Sequence, residues 1–544
     1  MRILTVEAMR ALEAEADRAG HSYRAMMEAA GKAVAEAVLR RRPDARRILV
    51  LVGPGNNGGD ALVAARHLRA EGMEVAAWLS RPRDDEMARL ARAKGVHLLE
   101  EGKGDLAALV RTADVVLDGL LGTGAKPPLR GTIAAILETV GEALKPSAPA
   151  LRPLTTPEPP APRPFVVAVD GPSGMDFDTG EADPRTLRVD LTLTFAHPKR
   201  GHFRFPAAAH VGELIVADIG IPPQVEPPAD APFVADAASV RAMLPPRPEA
   251  GHKGSFGRLL LVAGSANYTG AAVLATQAAL RSGAGLVTLA LPGSLHGAVL
   301  PLIPEATFLH LPHALGVVTD EALPILEPHF AHVGAMVVGP GLTQEAEAVR
   351  FITALFGLDE GRRPAGFLPR EAAKPHPPAL PPLILDADAL NILARMVRGF
   401  ALLPSGTILT PHPGEMARLT GLEVAEIQAR REAVARDYAQ QWSAVVLLKG
   451  AFTLVAAPDG RLTLIPFANS GMAKGGSGDV LAGLIGGLRA QGMPPYEAAI
   501  AGAYLHALAG QIARRREGAR GMTARSLVAA LPEAWRQLVE EVVA

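Results

Sequence analysis

The sequence predicts two α/β domains, the first built on a doubly wound parallel sheet. Continuous apolar runs alternate with helical stretches along the chain, and turns rich in glycine and aspartate follow several of these runs. This alternation is typical of a parallel sheet covered by helices on both faces. The 544 residues also exceed what one hydrophobic core usually serves. We therefore expect a Rossmann-like first domain and a second α/β domain.

The predicted elements of the first half are strands and helices in alternation. Helical spacing of apolar residues predicts helices at 5–39 and 61–69. Apolar runs predict buried strands at 47–52, 75–79, 115–117 and 166–169.

A proline-rich stretch at 221–248 fits a domain boundary, because the strand and helix pattern restarts after it. We expect domains at 1–225 and 233–544. Two other stretches rich in proline or irregular in pattern, 145–164 and 361–382, are predicted to be surface insertions. The predicted elements of the second half are strands at 258–263, 287–291, 336–339, 383–385, 407–410 and 445–448, and a helix at 270–281.

Composition excludes several classes of function. The net charge of −1 gives no global field to attract nucleic acid or an anionic membrane, so any phosphate binding must be local. The absence of cysteine excludes disulfides, zinc–thiolate sites and cysteine nucleophiles. No apolar run is long enough to span a membrane, and the first residues lack a signal core. The cytoplasm is the expected location.

Three polar loops follow predicted strands of the first half, at 56–60, 118–124 and 170–176. Ligands of open α/β sheets bind where strands end, and a carboxyl such as Asp170 could act there as a general acid or base. Each loop by itself is equally compatible with an ordinary turn, with Asp60 as a helix cap. Lys126 and Arg130 could meet anionic groups or lie as solvated surface charges. Three coincidental turns in one domain are less expected than one site.

Taken together, the three loops resemble those of the YjeF N-terminal family, the NAD(P)H-hydrate epimerases, from about residue 26 to about Gly220. The resemblance implies substrate binding by Asn56, Asn57, Gly58, Gly59, Asp60, Gly122, Thr123, Gly124, Ala125, Lys126, Pro127, Pro128 and Asp170. It implies proton chemistry at Asp170 and Lys126. It also implies a potassium ion held with the help of Asn57, Asp118 and Ser173, whose oxygens suit such an ion.

The strongest single signal is a glycine loop, Gly475-Gly476-Ser477-Gly478, followed by Asp479 and an apolar helix. Free amides at a helix start bind anions. A helix cap would explain Asp479 but not the preceding glycines. Phosphoryl transfer explains both, because the amides stabilise charge on the transferred group while Asp479 accepts a proton from the attacking hydroxyl.

Further polar turns follow other predicted strands of the second half. The turn 449–453 could line a nucleotide site, and His412 and Glu415 could meet substrate or metal-bound water. Asp386 and Asp388 are candidates for magnesium, which is commonly held by one or two carboxylates plus phosphates. The plain alternatives are a strand-end turn, a structural histidine and an acidic helix start.

From about Phe233 to Val543 the chain resembles the YjeF C-terminal family, the NAD(P)H-hydrate dehydratases of the ribokinase-like superfamily. The resemblance implies a ribokinase-like α/β domain, contacts of the hydrated cofactor with Ala272, Gly341, His412 and Asp479, and a catalytic role for Asp479. The residues that it implies for ADP or ATP are Lys449, Gly450, Ala451, Phe452, Thr453, Asn469, Gly475, Gly476, Ser477 and Gly478.

The two resemblances imply a bifunctional repair enzyme that interconverts the R and S forms of hydrated NAD(P)H and dehydrates the S form, converting ADP to AMP and phosphate. Its expected cofactors are K⁺ in the first domain and Mg²⁺ with ADP in the second. We expect a homo-oligomer. The alternative is a ribokinase-like kinase of a small vitamin precursor, with a first domain that only binds a ligand.

Overall fold

The computed structural model describes residues 1–100, 102, 104–145, 163–358, 379–396 and 398–540. The chain divides into two compact units, Met1–Ala231 and Pro232–Ala544. The division falls inside the proline-rich stretch 221–248. Most of both predicted insertions, 145–164 and 361–382, lies outside the described residues. Among the residues that are described, no helix is long and apolar enough to cross a membrane.

The first unit contains seven strands and six α-helices among its described residues. The strands are β1 (Arg47–Val52), β2 (Glu74–Leu79), β3 (His97–Leu99), β4 (Val115–Gly119), β5 (Phe165–Val169), β6 (Leu191–Phe195) and β7 (Glu213–Ala217). The helices are α1 (Val6–Arg18), α2 (Tyr23–Arg41), α3 (Asn56–Ala70), α4 (Glu86–Ala93), α5 (Leu106–Thr112) and α6 (Gly131–Leu144).

The seven described strands of the first unit form one parallel sheet in the order β3-β2-β1-β4-β5-β6-β7. The order reverses between β1 and β4, so the loops after these strands diverge there and leave a crevice at their carboxyl ends. Separate apolar clusters cover the two faces of the sheet. The predicted doubly wound sheet is confirmed, and the polar loops after β1, β4 and β5 follow three adjacent strands.

Two predictions about helices in the first unit are wrong. The single helix predicted at 5–39 is two helices, because Gly20 takes a φ of +96° and Ser22 starts a new helix by accepting from the amide of Ala25. The loop predicted at 56–60 is instead the first turn of α3, with Gly55 before it and no side-chain cap.

The second unit contains twelve strands and twelve α-helices among its described residues. The strands are β8 (Phe233–Val234), β9 (Arg258–Val262), β10 (Leu286–Pro292), β11 (Thr307–Leu311), β12 (His313–Ala314), β13 (Val317–Val318), β14 (Ala335–Val338), β15 (Leu383–Leu385), β16 (Ile408–Leu409), β17 (Val445–Leu448), β18 (Leu454–Ala456) and β19 (Leu462–Leu464). The helices are α7 (Ala237–Met243), α8 (Thr269–Leu280), α9 (His296–Val299), α10 (Leu323–Phe330), α11 (Ala346–Leu355), α12 (Asp388–Leu393), α13 (Pro413–Thr420), α14 (Val424–Ala429), α15 (Arg431–Trp442), α16 (Ser477–Ala490), α17 (Pro495–Gly521) and α18 (Ala524–Val539).

The large sheet of the second unit has the described order β11-β10-β9-β14-β15-β16-β17-β18-β19-β8. Strands β11 to β17 of this order are parallel, whereas β18 runs antiparallel to both of its neighbours. The second α/β domain is therefore confirmed. The parallel part brings the turns after β14, β15, β16 and β17 to one edge of the sheet.

Helices α8 and α16 pack at a distance that only small residues allow. A Cβ placed on Gly483 would lie 2.0 Å from the carbonyl oxygen of Ala275, and one on Gly487 would lie 1.9 Å from Oγ of Ser282. Both contacts are far inside van der Waals range. The glycines thus seat α16 against α8, and this packing fixes where the first turn of α16 points.

We predict that Gly483→Ala destabilises the protein, because the added methyl group must push α16 away from the backbone of α8. Overpacking of this kind costs about 1–3 kcal/mol. The matched control is Gly270→Ala at the exposed start of α8, where no atom lies within 4 Å of the new Cβ. That variant should be neutral or gain up to about 1 kcal/mol. Urea denaturation of both variants measures the difference, and equal stabilities would contradict the packing argument.

Candidate active sites

A cavity of about 590 Å³ lies at the carboxyl edge of the first sheet. The loops after β1, β4 and β5 all contribute to its lining, and helix α1 closes part of it. The predicted site residues that line it are Asn56, Asn57, Asp60, Gly122, Thr123, Gly124, Ala125 and Asp170. The structure therefore brings most of the predicted residues of the first half into one cavity.

The loops after β1 and β4 touch through their backbones. A Cβ on Gly53 would lie 1.6 Å from the carbonyl oxygen of Leu120, and the amide of Gly53 donates to the carbonyl of Gly119. Only glycine permits this approach. Because no side chain caps the start of α3, the first amides of that helix remain available to an anionic ligand at the rim of the cavity.

Asp170 is paired with a lysine that the sequence motifs did not reveal. The ammonium of Lys199 lies 2.7 Å from Oδ1 of Asp170, and the hydroxyl of Thr194 donates to the same oxygen over 2.8 Å. Burial by itself would raise the pKa of Asp170. The charge and the hydrogen bond of Lys199, with smaller contributions from the other neighbours, together outweigh burial, and the pKa lies below the usual range. Asp170 is thus held as a carboxylate.

Behind this ion pair His202 is neutral, because burial and the charge of Lys199 lower its pKa to about 4. Its Nδ1 accepts from the amide of Lys199 and its Nε2 lies 3.0 Å from the carbonyl oxygen of Asp170. Nε2 must therefore carry the proton and donate it. Asp170 itself has a φ of +65°, a strained value for a residue other than glycine and one common at functional sites.

The predicted role of Lys126 is not supported by its position. Its side chain is exposed and lies outside the set of residues that line the cavity, as do Pro127 and Pro128. Gly58 and Gly59 are buried in the first turns of α3 and also lie outside that set. The cation beside Asp170 is Lys199, which comes from the turn after β6. Lys199 could not be identified from the sequence, because a single lysine outside a recognisable motif does not predict a site.

The three residues expected to hold a potassium ion lie together. Asp118 is fully buried and accepts from the amide and the hydroxyl of Ser173, at 2.8 and 2.6 Å. The Ser173 hydroxyl in turn accepts from the amide of Leu121, whose carbonyl accepts from the side chain of Asn57. Burial raises the pKa of Asp118, and no described cation pairs with it. This cluster of oxygen atoms around an unpaired buried carboxylate fits a monovalent cation.

In the second unit Asp479 occupies the first turn of α16, and no side chain caps that helix. Asp479 is therefore not a cap. Gly476 before it takes a φ of +90°, which turns the glycine loop into the helix. Burial, and then the neighbouring Asp386, raise the pKa of Asp479 to about 7. A carboxyl with that pKa accepts a proton readily at neutral pH.

A buried lysine lies among the carboxyl groups near Asp479. The ammonium of Lys449 is 2.7 Å from Oδ1 of Asp386 and 3.7 Å from Oε2 of Glu415. Burial would lower the pKa of Lys449, but Asp386 and Glu415 outweigh it and raise it. Lys449 therefore offsets part of the negative charge of the carboxyl cluster. The loop Gly450, Ala451, Phe452 and Thr453 forms the turn between β17 and β18, where the Thr453 hydroxyl donates to the carbonyl of Gly450.

His412 and Glu415 form the start of α13. Nδ1 of His412 accepts from the amides of Gly414 and Glu415, while Oε2 of Glu415 accepts from the amide of His412 over 2.7 Å. This reciprocal capping box gives both residues a structural role. The His412 side chain is half exposed and still faces solvent beside Glu415, whose pKa is raised by burial.

Other predicted residues of the second half serve the local structure. The Asn469 side chain accepts from the amide of Gly471 and donates to the carbonyl of Gly510, so both ends of its amide are used within the protein. The Ser477 hydroxyl lies 3.2 Å from Nε2 of His506. Asp388 accepts from the amide of Thr343, which leaves Asp386 as the carboxylate nearer to Lys449 and Asp479.

The turn after β14 brings Gly341 close to the loop after β9. A Cβ on Gly341 would lie 2.7 Å from Cβ of Tyr268, and Gly264, which touches Ala272 in the same way, donates to the carbonyl of Pro340. Gly341 therefore lies beside the start of helix α8, which carries Ala272. Among the described residues there is no group of three or more His, Cys, Asp or Glu side chains placed to hold a metal ion.

We predict that Lys199→Met destabilises the first unit by about 3–5 kcal/mol at pH 7, because it leaves Asp170 as an unpaired buried carboxylate. Asp170 has a lowered pKa in the folded protein, so its pairing stabilises above its unfolded pKa and is lost as the pH falls through the folded one. The deficit of the variant should therefore shrink in acid. Lys126→Met, at an exposed site, should change stability by less than about 0.5 kcal/mol. Thermal denaturation between pH 2.5 and pH 7 measures both. A deficit that does not shrink below about pH 4 would contradict the assignment.

Comparison with known proteins assigns a family to each unit. Residues 23–201 match the model described as YjeF-related protein N-terminus, and residues 259–533 match the model described as NAD(P)H-hydrate dehydratase. A solved structure of an ADP/ATP-dependent NAD(P)H-hydrate dehydratase from Bacillus subtilis, co-crystallised with ATP and Mg²⁺, is 32% identical. It covers 57% of this chain and 100% of its own, with a TM-score of 0.45.

Curated relatives match the whole chain. The bifunctional NAD(P)H-hydrate repair enzyme Nnr of Moorella thermoacetica is 40% identical over 95% of this chain and 93% of its own length. The enzyme of the same name from Escherichia coli strain K12 is 33% identical over 95% of this chain and 90% of its own length. The chain therefore belongs to the family of bifunctional NAD(P)H-hydrate repair enzymes.

Proposed function

We propose that the first unit interconverts the R and S forms of hydrated NAD(P)H and that the second unit dehydrates the S form with conversion of ADP to AMP and phosphate. The observation that carries the proposal is the environment of Asp479. Its carboxyl has a pKa near neutrality and stands at an uncapped helix start behind a glycine loop. This is the arrangement that phosphoryl transfer requires.

The dehydration starts with a proton transfer to Asp479. The hydroxyl on the reduced nicotinamide ring loses its proton to the carboxylate, and its oxygen attacks the terminal phosphorus of ADP. The phosphoanhydride bond breaks and AMP leaves. The original carbon–oxygen bond, whose oxygen now carries the phosphoryl group, then breaks. Phosphate departs and a ring proton is lost, so that the double bond returns. Hydroxide is a poor leaving group, and phosphorylation removes that obstacle.

The residues around Asp479 support this chemistry. No side chain caps the start of α16, so in our proposal its amides stabilise the negative charge that develops on the transferred group. Lys449 limits the repulsion between Asp386 and Asp479, which otherwise would keep Asp479 protonated at neutral pH. In our proposal the nucleotide lies over the glycine loop and the 449–453 turn. Asn469 holds the backbone that leads into the glycine loop through its hydrogen bonds to Gly471 and Gly510.

Mg²⁺, when bound with the nucleotide, neutralises charge on its phosphates. The described carboxylates fit only a limited role in holding it, because Oδ1 of Asp386 is shared by Lys449 and Thr410 and Asp388 is bound to Thr343. Magnesium held mainly by phosphates and water, with one carboxylate, agrees with this geometry. In the first unit, Asn57, Asp118 and Ser173 would hold K⁺, whose charge balances Asp118 beside the substrate's phosphate groups.

The proposal is tested by supplying both epimers of the hydrated cofactor with Mg²⁺ and either ADP or ATP. Complete recovery of nicotinamide absorbance with release of free phosphate is expected, and the two nucleotide arms reveal the preference. A stable phosphorylated product would instead identify a kinase. Recovery of about half of a mixed substrate, followed by a slow phase at the spontaneous rate, would show that the first unit does not epimerise.

We predict that Asp479→Asn lowers the kcat of dehydration by about 10²- to 10⁴-fold, because the base is lost. In the wild-type protein Asp479 must be ionised to act, so kcat/KM should fall about tenfold per pH unit below its pKa of about 7. The residual activity of the variant should lack this acidic limb.

The matched control is Asp459→Asn, in the exposed turn between β18 and β19, where the lost contact is an ion pair with Arg461. It should keep the wild-type rate and pH profile. Full dehydration by Asp479→Asn, or an unchanged acidic limb in it, would remove Asp479 from the role of base.

A further inference from the structure

The cavity of the first unit holds more carboxyl groups than cations. Glu13 on α1, Asp60 on α3 and Asp170 after β5 all line it, and Lys199 is the buried ammonium among them. Arg10 on α1 also lines the cavity and acts on Glu13 from the same helix. The carboxyl groups cannot all be ionised at low cost so close to one ammonium.

Lys199 is committed to Asp170. Its ammonium lies 2.7 Å from Oδ1 of Asp170 and 2.8 Å from the hydroxyl of Thr194, and the side chain is only 2% exposed. The ammonium therefore stabilises the ionised form of Asp170, which lies in the cavity as a base.

The environment of Asp60 favours the protonated form of its carboxyl group instead. No described group donates a hydrogen bond to its carboxyl, which opens into the cavity from the second turn of α3. Burial raises the pKa of Asp60 well above its ordinary value, and the charges of Asp170 and Glu13 raise it further, while Lys199 only partly opposes them. Two carboxyl groups whose environments push their pKa values apart are the mark of an acid and a base that act together.

The two groups also approach the cavity from separate directions. Asp60 follows β1 and Asp170 follows β5, with β4 between them in the sheet. Two strand spacings separate β1 from β5, about 10 Å. This is enough for a flat ring to lie between Asp60 on helix α3 and Asp170 on the loop after β5.

We propose that Asp60, in its protonated form, is the second catalytic residue of the epimerase and works with ionised Asp170 as an acid–base pair. The inference rests on the proposed function of the first unit and deepens it, since nothing in that function requires more of Asp60 than contact with the substrate. Lys199 is a positioning residue that keeps Asp170 ionised.

The chemistry of the substrate requires such a pair. Water adds to the ring double bond with its oxygen on the carbon beside the ring nitrogen, so the hydrated carbon is a hemiaminal and can lose its hydroxyl. Asp60 gives its proton to the hydroxyl, the carbon–oxygen bond breaks, and water leaves a cation shared by that carbon and the ring nitrogen. A water molecule then adds to the other face of the ring and gives a proton to Asp170. Exchange with solvent removes this proton from Asp170 and returns one to Asp60, which restores the starting state of the pair. In the reverse direction protonated Asp170 is the acid and ionised Asp60 the base.

The test is the epimerisation rate of Asp60→Asn and Asp170→Asn in the full-length protein, each from pH 5 to pH 9 with one pure epimer. We expect kcat to fall about 10²- to 10⁴-fold in both variants with little change in KM. The pH profiles should differ. Asp60 must be protonated in the forward direction, so its variant lacks the alkaline limb of the wild-type profile. Asp170 is ionised across this whole range because its pKa lies below the usual value, so its variant keeps the alkaline limb and loses only rate. The other groups facing the pair are Glu13, Arg10, Lys199 and His202, and all remain in both variants.

Glu15→Gln, on the exposed side of α1 where the side chain pairs with Arg18, is the matched control and should keep the wild-type profile. If Asp60→Asn raises KM and keeps kcat, Asp60 only binds substrate and the inference is overturned. If it retains its alkaline limb, the acid is another group and the inference is also overturned. A circular dichroism spectrum and a thermal unfolding transition of the first unit like those of the wild-type protein confirm that each variant is folded. A wild-type protein without epimerase activity would instead contradict the proposed function.

Discussion

The ion pair between Lys199 and Asp170 sets the charges of the whole first cavity. Its lysine has a buried ammonium, which is bound to a carboxylate and a hydroxyl at the carboxyl edge of the sheet. Breaking such a pair is costly because either partner would remain as a buried charge. Since one positive charge is shared among several carboxyl groups, the ionised state of Asp170 is obtained at the expense of Asp60. Two aspartates of the same intrinsic acidity thus take opposite protonation states within one cavity.

In the second unit Lys449 likewise supplies one positive charge to several neighbouring carboxyl groups. There the ammonium pairs with Asp386 and lies near Glu415, and Asp479 is left with the residual repulsion. In both units the lysine pairs with one carboxylate, and a second carboxyl group nearby has the strongly raised pKa. The pairs are Lys199 with Asp170 beside Asp60, and Lys449 with Asp386 beside Asp479. The perturbed carboxyl stands on the first turns of an uncapped helix in both units, α3 and α16, so backbone amides and a proton-exchanging group lie side by side.

The sequence predicts the strands that end at the two sites because buried parallel strands are continuous apolar runs, and the turns after them contain glycine and aspartate. It therefore places Asp118 and Asp170 near the carboxyl ends of strands, where the structure has them, whereas Asp479 is signalled by the glycine loop before α16. Short or partly polar strands such as β3 and β6 lack that signal. The turn 56–60 was expected to be irregular because asparagine and glycine are weak helix formers, but packing of α3 against the sheet overrides propensity. Lys199, Glu13 and the structural use of Asn469 depend on contacts between distant segments, which no local pattern encodes.

The burial of Lys199 has a consequence for covalent chemistry at the amine. An ammonium with 2% of its side chain exposed and with hydrogen bonds to Asp170 and Thr194 has no free lone pair and no path for an incoming acyl group. Lysine acetylation, whether enzymatic or by a reactive thioester, requires a neutral amine in contact with solvent. Exposed lysines such as Lys126 remain open to that modification in the folded protein, while the charge on which Asp170 depends is protected from it.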